Sequence, residues 1–130
     1  MTLSTEPVRI LFVDDDRATR EGYAAYLKAS GFDVIASGSG HEALDVATTW
    51  LPTVIVLDLG LKDVDGWEVA RRLKADTRTV AVPIIAFTGA DLPHERISAM
   101  RAGCDRVVIK PCAPDALLDE IRRCADRRSS

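Results

Sequence analysis

Five short apolar runs recur along the chain, and each is followed by a stretch with helical periodicity. The runs are continuously apolar rather than alternating, a pattern typical of strands that are covered on both faces of a parallel sheet. In a chain of 130 residues, repeated strand–helix units predict an open α/β sheet with helices on both faces. The predicted strands are residues 9–13, 32–36, 54–57, 82–87 and 107–109.

Start and stop signals bound the five helical stretches. Polar caps satisfy the free N–H groups of a helix's first turn, and glycine accepts the left-handed backbone that often follows the last turn. Proline suits the first turn because the N–H group that it lacks would have no partner there. The signals are Gly31 after the first stretch, a capping box at residues 39–42 with Pro52 for the second, Asp65 before the third, Asp91 and Gly103 around the fourth, and Pro114 in the fifth.

Composition narrows the classes of protein. The 17 basic and 20 acidic residues give a formal net charge of −3, whereas a DNA-reading module is normally strongly basic. Because of this charge we expect no direct contact with nucleic acid. No apolar run approaches the ~18 residues of a membrane helix, so we expect no membrane insertion either. Three cysteines without a CxxC spacing are typical of a reduced, cytoplasmic protein. We expect a flexible N-terminus at residues 1–7, one domain at 8–125 and a C-terminal tail at 126–130.

Polar residues follow four of the predicted strands. Asp14 and Asp15 follow the first strand, and Asp58 follows the third. Thr88 follows the fourth strand, and Lys110 follows the fifth. Because ligands of an open parallel sheet bind at the carboxyl ends of its strands, we expect these five side chains to lie at one edge.

The chemistry of this set points to phosphate and a divalent cation. Three converging carboxylates repel one another unless a cation lies among them, and oxygen ligands favour Mg²⁺, which also engages phosphate oxygens. Lys110 and Thr88 would then contact phosphate oxygens. Asp58 stands alone on the central strand and is the candidate nucleophile for an acyl phosphate. Asp16 has a simpler interpretation as the cap of the first helix.

Four motifs together carry a resemblance to a known family. In chain order they are FVDDD at residues 12–16, LDLGLKDVDG at 57–66, FTGA at 87–90 and VIKP at 108–111. Their order and spacing resemble the receiver domain of two-component response regulators over about residues 8–125. The resemblance implies a flavodoxin-like (βα)5 fold, in which a doubly wound parallel five-stranded sheet has the strand order 2-1-3-4-5.

The resemblance also implies a function. A histidine kinase or a histidine phosphotransfer protein would donate the phosphoryl group, and the phosphorylated chain would switch the binding of a downstream protein partner. The chain would catalyse only its own phosphorylation and dephosphorylation, and the bond between Lys110 and Pro111 would be cis. The implied site residues are Asp14, Asp15, Asp58 and the Gly60 carbonyl for Mg²⁺, with Asp58, Thr88 and Lys110 for the phosphoryl chemistry.

The chain departs from the family pattern at four positions. Lys62 stands where proline is usual, so we expect a looser and more positive loop, and Gly60 offers a carbonyl but no side chain. Val107 and Cys112 stand where aromatic residues are common. We expect phosphorylation to reposition Thr88 and the loop after it, with a muted change in packing at Val107.

Three alternatives stay open at this point. Residues 38–43 match G-x-G-x-x-A, and Asp58 lies 20 residues after Gly38, as in a dinucleotide-binding fingerprint, but these glycines follow the weak second strand. A Mg²⁺-dependent phosphatase of the dehalogenase type also uses a nucleophilic aspartate, although it would need an acid in place of Gly60. A degenerate receiver would bind protein partners without being phosphorylated.

Overall fold

Strands and helices alternate along the chain as the apolar runs predict. The computed structural model describes residues 7–89 and 93–129. The elements are β1 (Arg9–Val13), α1 (Arg17–Ala29), β2 (Asp33–Ser37), α2 (Gly40–Trp50), β3 (Val54–Asp58), α3 (Gly66–Ala75), β4 (Ile84–Thr88), α4 (Pro93–Arg101), β5 (Arg106–Ile109) and α5 (Pro114–Ser129). Neighbouring strands are all parallel and lie in the order β2-β1-β3-β4-β5, which confirms the predicted fold class.

Alternate residues of each strand enter two separate cores, one on each face of the sheet. Leu11 and Val13 of β1 belong to the core shared with α2, α3 and α4, whereas Ile10 and Phe12 belong to the core shared with α1 and α5. All five residues of β3 are buried, because helices cover both faces of this central strand. Continuous apolar runs in the sequence have this cause.

The helix signals that the structure describes coincide with helix ends, but only the Ser39 half of the capping box is present, since the Ser39 N–H donates to the Ser37 hydroxyl at 3.3 Å. Asp16, Ser39 and Asp65 cap α1, α2 and α3 through their side-chain oxygens, which accept hydrogen bonds from first-turn N–H groups. Gly31 and Gly103 follow α1 and α4 with φ angles of 98° and 105°, a left-handed backbone that favours glycine.

Strand boundaries differ from the prediction by one or two residues. β2 lies one residue later than expected, because its five residues pair in register with all five residues of β1. β4 begins at Ile84, since Pro83 has no N–H group for the ladder of hydrogen bonds.

The two predicted terminal segments have different outcomes. Helix α5 continues to Ser129 and so extends into the segment 126–129, while the predicted domain bound at residue 125 stays a prediction. The helix continues because the sequence after the buried Cys124 contains no proline or glycine to end it. Residues 1–6 of the expected flexible N-terminus and the expected helix signal Asp91 lie outside the described residues.

Within the described ranges, no helix is long and apolar enough to cross a membrane. All three cysteines lie in the described part and carry free thiols. Burial raises the pKa of the Cys104 thiol to about 12, so this group stays protonated.

Candidate functional site

The strand-end residues predicted from the sequence lie at one edge of the sheet. Asp14 directly follows β1, Asp58 and Thr88 are the last residues of β3 and β4, and Lys110 directly follows β5. Parallel pairing aligns the strand ends, and Thr88 is opposite Ile109, the residue before Lys110. The fold therefore gathers residues that are far apart in the chain.

Asp14, Asp15 and Asp58 form a compact cluster of carboxylates. One oxygen from each side chain lies within 4.8 Å of the other two. Asp14 is fully buried, and the Oδ2 atom of Asp15 is buried without a hydrogen-bond partner among the described residues. An unpartnered buried carboxylate oxygen is costly, and a set of oxygen ligands at such separations suits a hard divalent cation. The residues present therefore fit Mg²⁺.

Lys110 is the cation of this cluster. Its Nζ lies 2.8 Å from Asp14 Oδ2 and 3.6 Å from Asp58 Oδ1. Burial by itself lowers the pKa of Lys110, but the hydrogen bond to Asp14 and the charge of Asp58 outweigh burial and raise the pKa, so the side chain is an ammonium group. Three carboxylates against one ammonium leave two negative charges, which one divalent cation would balance.

Asp58 is electrostatically disfavoured as a bare carboxylate. Burial raises its pKa, the hydrogen bond from the Gly60 N–H to Oδ1 at 2.9 Å opposes the rise, and the charges of Asp14 and Asp15 add to it. The net pKa is raised even though Lys110 is close. A positive charge added beside Asp58 would therefore stabilise its ionised, nucleophilic form.

The walls of the site come from β4 and the segment after β5. Thr88 is buried, and its carbonyl accepts a hydrogen bond from the Lys110 N–H at 2.7 Å. Apart from Gly89 and its two chain neighbours, no described residue has an atom within 4 Å of the place where a Cβ on Gly89 would be. The peptide bond between Lys110 and Pro111 is cis, as the resemblance implies.

Two residues of the site were not identified from the sequence. Arg20 of α1 donates a hydrogen bond from Nη1 to the Asp14 carbonyl at 2.9 Å, and no sequence signal marks it because the contact depends on how α1 lies against β2. Gly66, the first residue of α3, packs against the backbone of Asp58. No local pattern marks this contact, because it depends on how close the start of α3 lies to the end of β3.

The replacement Lys110→Met is expected to lower the free energy of unfolding by about 2 kcal/mol in EDTA, because it leaves the buried Asp14 carboxylate without its cation. This loss is smaller than that of a fully buried pair, since the Lys110 side chain is 27% exposed. Urea denaturation measures the change. The control Lys62→Met removes an exposed loop lysine and should change stability by less than ~0.5 kcal/mol. Equal unfolding midpoints for the two variants would contradict the role of Lys110.

The chain matches one known protein family over most of its length. A family model for the response regulator receiver domain matches residues 10–122. The chain belongs to this family. The receiver domain is 40% identical over 116 residues to the response regulator MprA of Mycolicibacterium vanbaalenii, a match that covers 89% of this chain and 49% of MprA. The chain thus spans about half the length of the curated relatives that it matches.

Solved structures agree with this assignment. A CheY-like response regulator receiver domain protein from Methanospirillum hungatei has a TM-score of 0.89 and 25% identity, over 95% of this chain and 98% of that chain. The BeF3 activated DrrB receiver domain has a TM-score of 0.83 and 27% identity, over 94% of this chain and 100% of that chain. The chain is therefore a receiver domain of two-component signalling with the CheY-like, flavodoxin-like architecture.

The geometry gives no support to the two enzymatic alternatives. In a dinucleotide-binding fold, phosphate would lie at the start of α2, but the Asp63 carboxylate already accepts the Gly40 N–H there at 2.9 Å. A phosphatase of the dehalogenase type would need an acidic side chain two residues after Asp58, where Gly60 instead donates its N–H to Asp58.

Proposed function

We propose that Asp58 accepts a phosphoryl group from a histidine kinase or a histidine phosphotransfer protein. The observation that carries this proposal is the cluster at the carboxyl edge of the sheet. There Asp58 lies within 4.8 Å of two further carboxylates and 3.6 Å from the Lys110 ammonium. In this proposal Mg²⁺ is held by Asp14, Asp15, Asp58 and the Gly60 carbonyl.

The proposed reaction transfers a phosphoryl group from an imidazole nitrogen of the donor to a carboxylate oxygen of Asp58. A carboxylate oxygen of Asp58 forms the new bond to phosphorus while the bond to the donor's imidazole nitrogen breaks, and the product is an acyl phosphate. The Lys110 ammonium and the Thr88 hydroxyl contact the transferred oxygens. Mg²⁺, when bound, supplies charge neutralisation for those oxygens, which a loose transition state of phosphoryl transfer requires more than it requires a base.

The same proposal covers the role of the domain in signalling. Residues 8–125 act as the receiver unit in the cytoplasm, without turnover of a free substrate, and the phosphorylated form binds a downstream protein partner. Val107 of β5 is half-buried and packs against the core that includes α4. A movement of Thr88 can therefore be transmitted through β5 to the packing around α4. Because valine is small, phosphorylation changes the packing at this position less than it would if an aromatic ring stood there.

Acetyl phosphate tests this function without knowledge of the natural donor. We expect the protein to gain one phosphoryl group in Mg²⁺ and none in EDTA, as measured by intact-protein mass spectrometry. Hydroxylamine should remove the label, because acyl phosphates react with it and phosphoserine does not. Failure of labelling in Mg²⁺, or a label that resists hydroxylamine, would contradict the proposal. Turnover of a phosphate monoester would favour a phosphatase instead.

A further inference from the structure

The loop between β3 and α3, residues 59–65, contacts the start of α2 through Asp63. Its Oδ1 accepts a hydrogen bond from the Gly40 N–H at 2.9 Å. Its Oδ2 accepts hydrogen bonds from the Ser39 hydroxyl at 2.8 Å and the His41 N–H at 3.1 Å, and it lies 2.9 Å from His41 Nδ1. One carboxylate therefore ties the loop to three consecutive residues of another element.

Asp63 shares the capping of α2 with Ser39, since it accepts hydrogen bonds from the first-turn N–H groups of Gly40 and His41. The Ser39 hydroxyl oxygen already accepts a hydrogen bond from the Glu42 N–H at 3.3 Å. The N–H groups of Gly40 and His41 hold the pKa of Asp63 well below its ordinary value, so the group is ionised at neutral pH at the positive end of the helix dipole. What the carboxylate adds is a connection between the loop and the helix.

Close packing makes this connection stiff. A Cβ on Gly40 would lie 3.0 Å from the Val69 side chain, so the start of α2 and the first turns of α3 meet with no spare room. Closer to the carboxylate cluster, the loop is held by the buried Leu61 and by the hydrogen bond from the Gly60 N–H to Asp58. Asp63 fixes the other end of this short loop, so Gly60 lies between an anchor at the end of β3 and an anchor on α2.

We propose that Asp63 is a positioning residue for Mg²⁺ binding, because by anchoring residues 59–65 on α2 it holds the Gly60 carbonyl in place for the metal. The inference rests on the proposed metal site. Lys62 leaves the loop without the backbone restriction that a proline would impose, so the restraint comes from a tertiary contact. Because coupling is reciprocal, Mg²⁺ binding strengthens the hydrogen bond between Asp63 and Gly40.

A titration of the full chain with Mg²⁺ alone, followed by the backbone amide shifts of Gly60 and Gly66, tests this proposal. We expect Asp63→Ala to weaken Mg²⁺ binding about tenfold, the low end of the effects seen when a group that orients a metal ligand is removed. Asp63→Asn keeps one acceptor for the Gly40 N–H and should give an intermediate loss. This second variant also serves if the alanine variant does not fold.

Two control variants separate anchoring from other effects. Ser39→Ala removes the hydroxyl hydrogen bond to Asp63 and weakens the cap of α2, but it leaves the hydrogen bonds from the two backbone N–H groups to Asp63. Asp45→Ala removes one negative charge from an exposed position of the same helix. Both variants should bind Mg²⁺ within about twofold of the wild type, because a single exposed charge at a distance is largely screened.

A second readout follows the contact itself. In the wild type, saturating Mg²⁺ should slow the hydrogen exchange of the Gly40 amide, and Asp63→Ala should remove this protection. Wild-type Mg²⁺ affinity in Asp63→Ala, or an equal loss in Ser39→Ala, would overturn the positioning role and leave the metal site standing. If the wild type itself bound no Mg²⁺, the metal site would be refuted together with this inference.

Discussion

Replacing Asp58 with asparagine is expected to abolish labelling by acetyl phosphate in Mg²⁺, whereas Asp16→Asn should be labelled like the wild type. An asparagine amide at this position has no carboxylate oxygen that can form an acyl phosphate. Asp16 belongs to the same acidic run as Asp14, but its side chain caps α1, and asparagine caps a helix equally well. Intact-protein mass spectrometry measures both variants under one set of conditions.

The pair of variants distinguishes a lost acceptor from a damaged site. Labelling of Asp58→Asn at the wild-type level would place the acceptor on another residue. Loss of labelling in both variants would indicate instead that the segment after β1 tolerates no change, and Asp58 would lose its special status.

The same Asp58→Asn variant is expected to be more stable than the wild type in EDTA, by on the order of 1 kcal/mol at neutral pH. The pKa of Asp58 is raised above its ordinary value of 3.8, chiefly by burial, so the native state binds its proton more tightly than the unfolded chain does. Stability of the wild type therefore falls as the pH rises from about 3.8 through the raised native pKa. Urea denaturation at several pH values should show the difference vanish in acid.

Mg²⁺ should reverse this order of stabilities. A ligand that binds only the native state stabilises it by mass action, and the asparagine variant lacks one of the three carboxylates. A wild type that is the more stable protein in EDTA, or that gains nothing from Mg²⁺, would contradict the electrostatic account of the site.

The replacement Gly66→Ala is expected to lower the free energy of unfolding by about 2–3 kcal/mol. A Cβ at this position would lie 2.6 Å from the Asp58 carbonyl oxygen and 2.6 Å from the Leu59 Cα, and both are backbone atoms that cannot rotate away. Alanine gains ~1 kcal/mol over glycine in helix propensity, but the clash outweighs that gain. Because the strain reaches Asp58, labelling by acetyl phosphate should also slow.

Gly22→Ala is the matched control. Gly22 is an exposed residue of α1, and beyond its chain neighbours and its own helix backbone no described residue has an atom within 4 Å of its potential Cβ. Alanine should therefore raise the free energy of unfolding by ~0.5–1 kcal/mol. Urea denaturation should show a lower free energy of unfolding for Gly66→Ala and a higher one for Gly22→Ala. That result would confirm that the available space, rather than helix propensity, determines the effect of alanine at Gly66. A stable Gly66→Ala with wild-type labelling would refute the close approach.

Local patterns were sufficient for the elements of the fold. Apolar runs marked all five strands, most strongly the fully buried β3 and more weakly the half-buried β2, whose run is interrupted by Asp33. Asp16, Ser39 and Asp65 marked helix starts because capping involves neighbours a few residues away. The predicted strand ends differ from the observed ones by one or two residues, since the extent of a ladder of hydrogen bonds depends on the partner strand. The strand order came from the resemblance to a family and not from periodicity.

The candidate site followed from one topological rule. Parallel strands have their carboxyl ends at one edge, so the residues after each apolar run had to meet, and the structure brings Asp14, Asp15, Asp58 and Lys110 into contact distance. Which partner Lys110 prefers did not follow from that rule. Its ammonium lies closer to the fully buried Asp14 than to Asp58, an order that depends on how the segment after β5 lies against β1 and β3.

The sequence by itself determined the kinds of chemical group at the sheet edge and the elements that present them. Tertiary structure alone decided the contacts of Arg20 with the Asp14 carbonyl, of Gly66 with the Asp58 backbone and of Asp63 with α2. The physical reason is that helix and strand patterns depend on short, regular spacings along the chain. Contacts between distant segments depend instead on how far each helix lies from the sheet and at what angle, and no local pattern records those quantities.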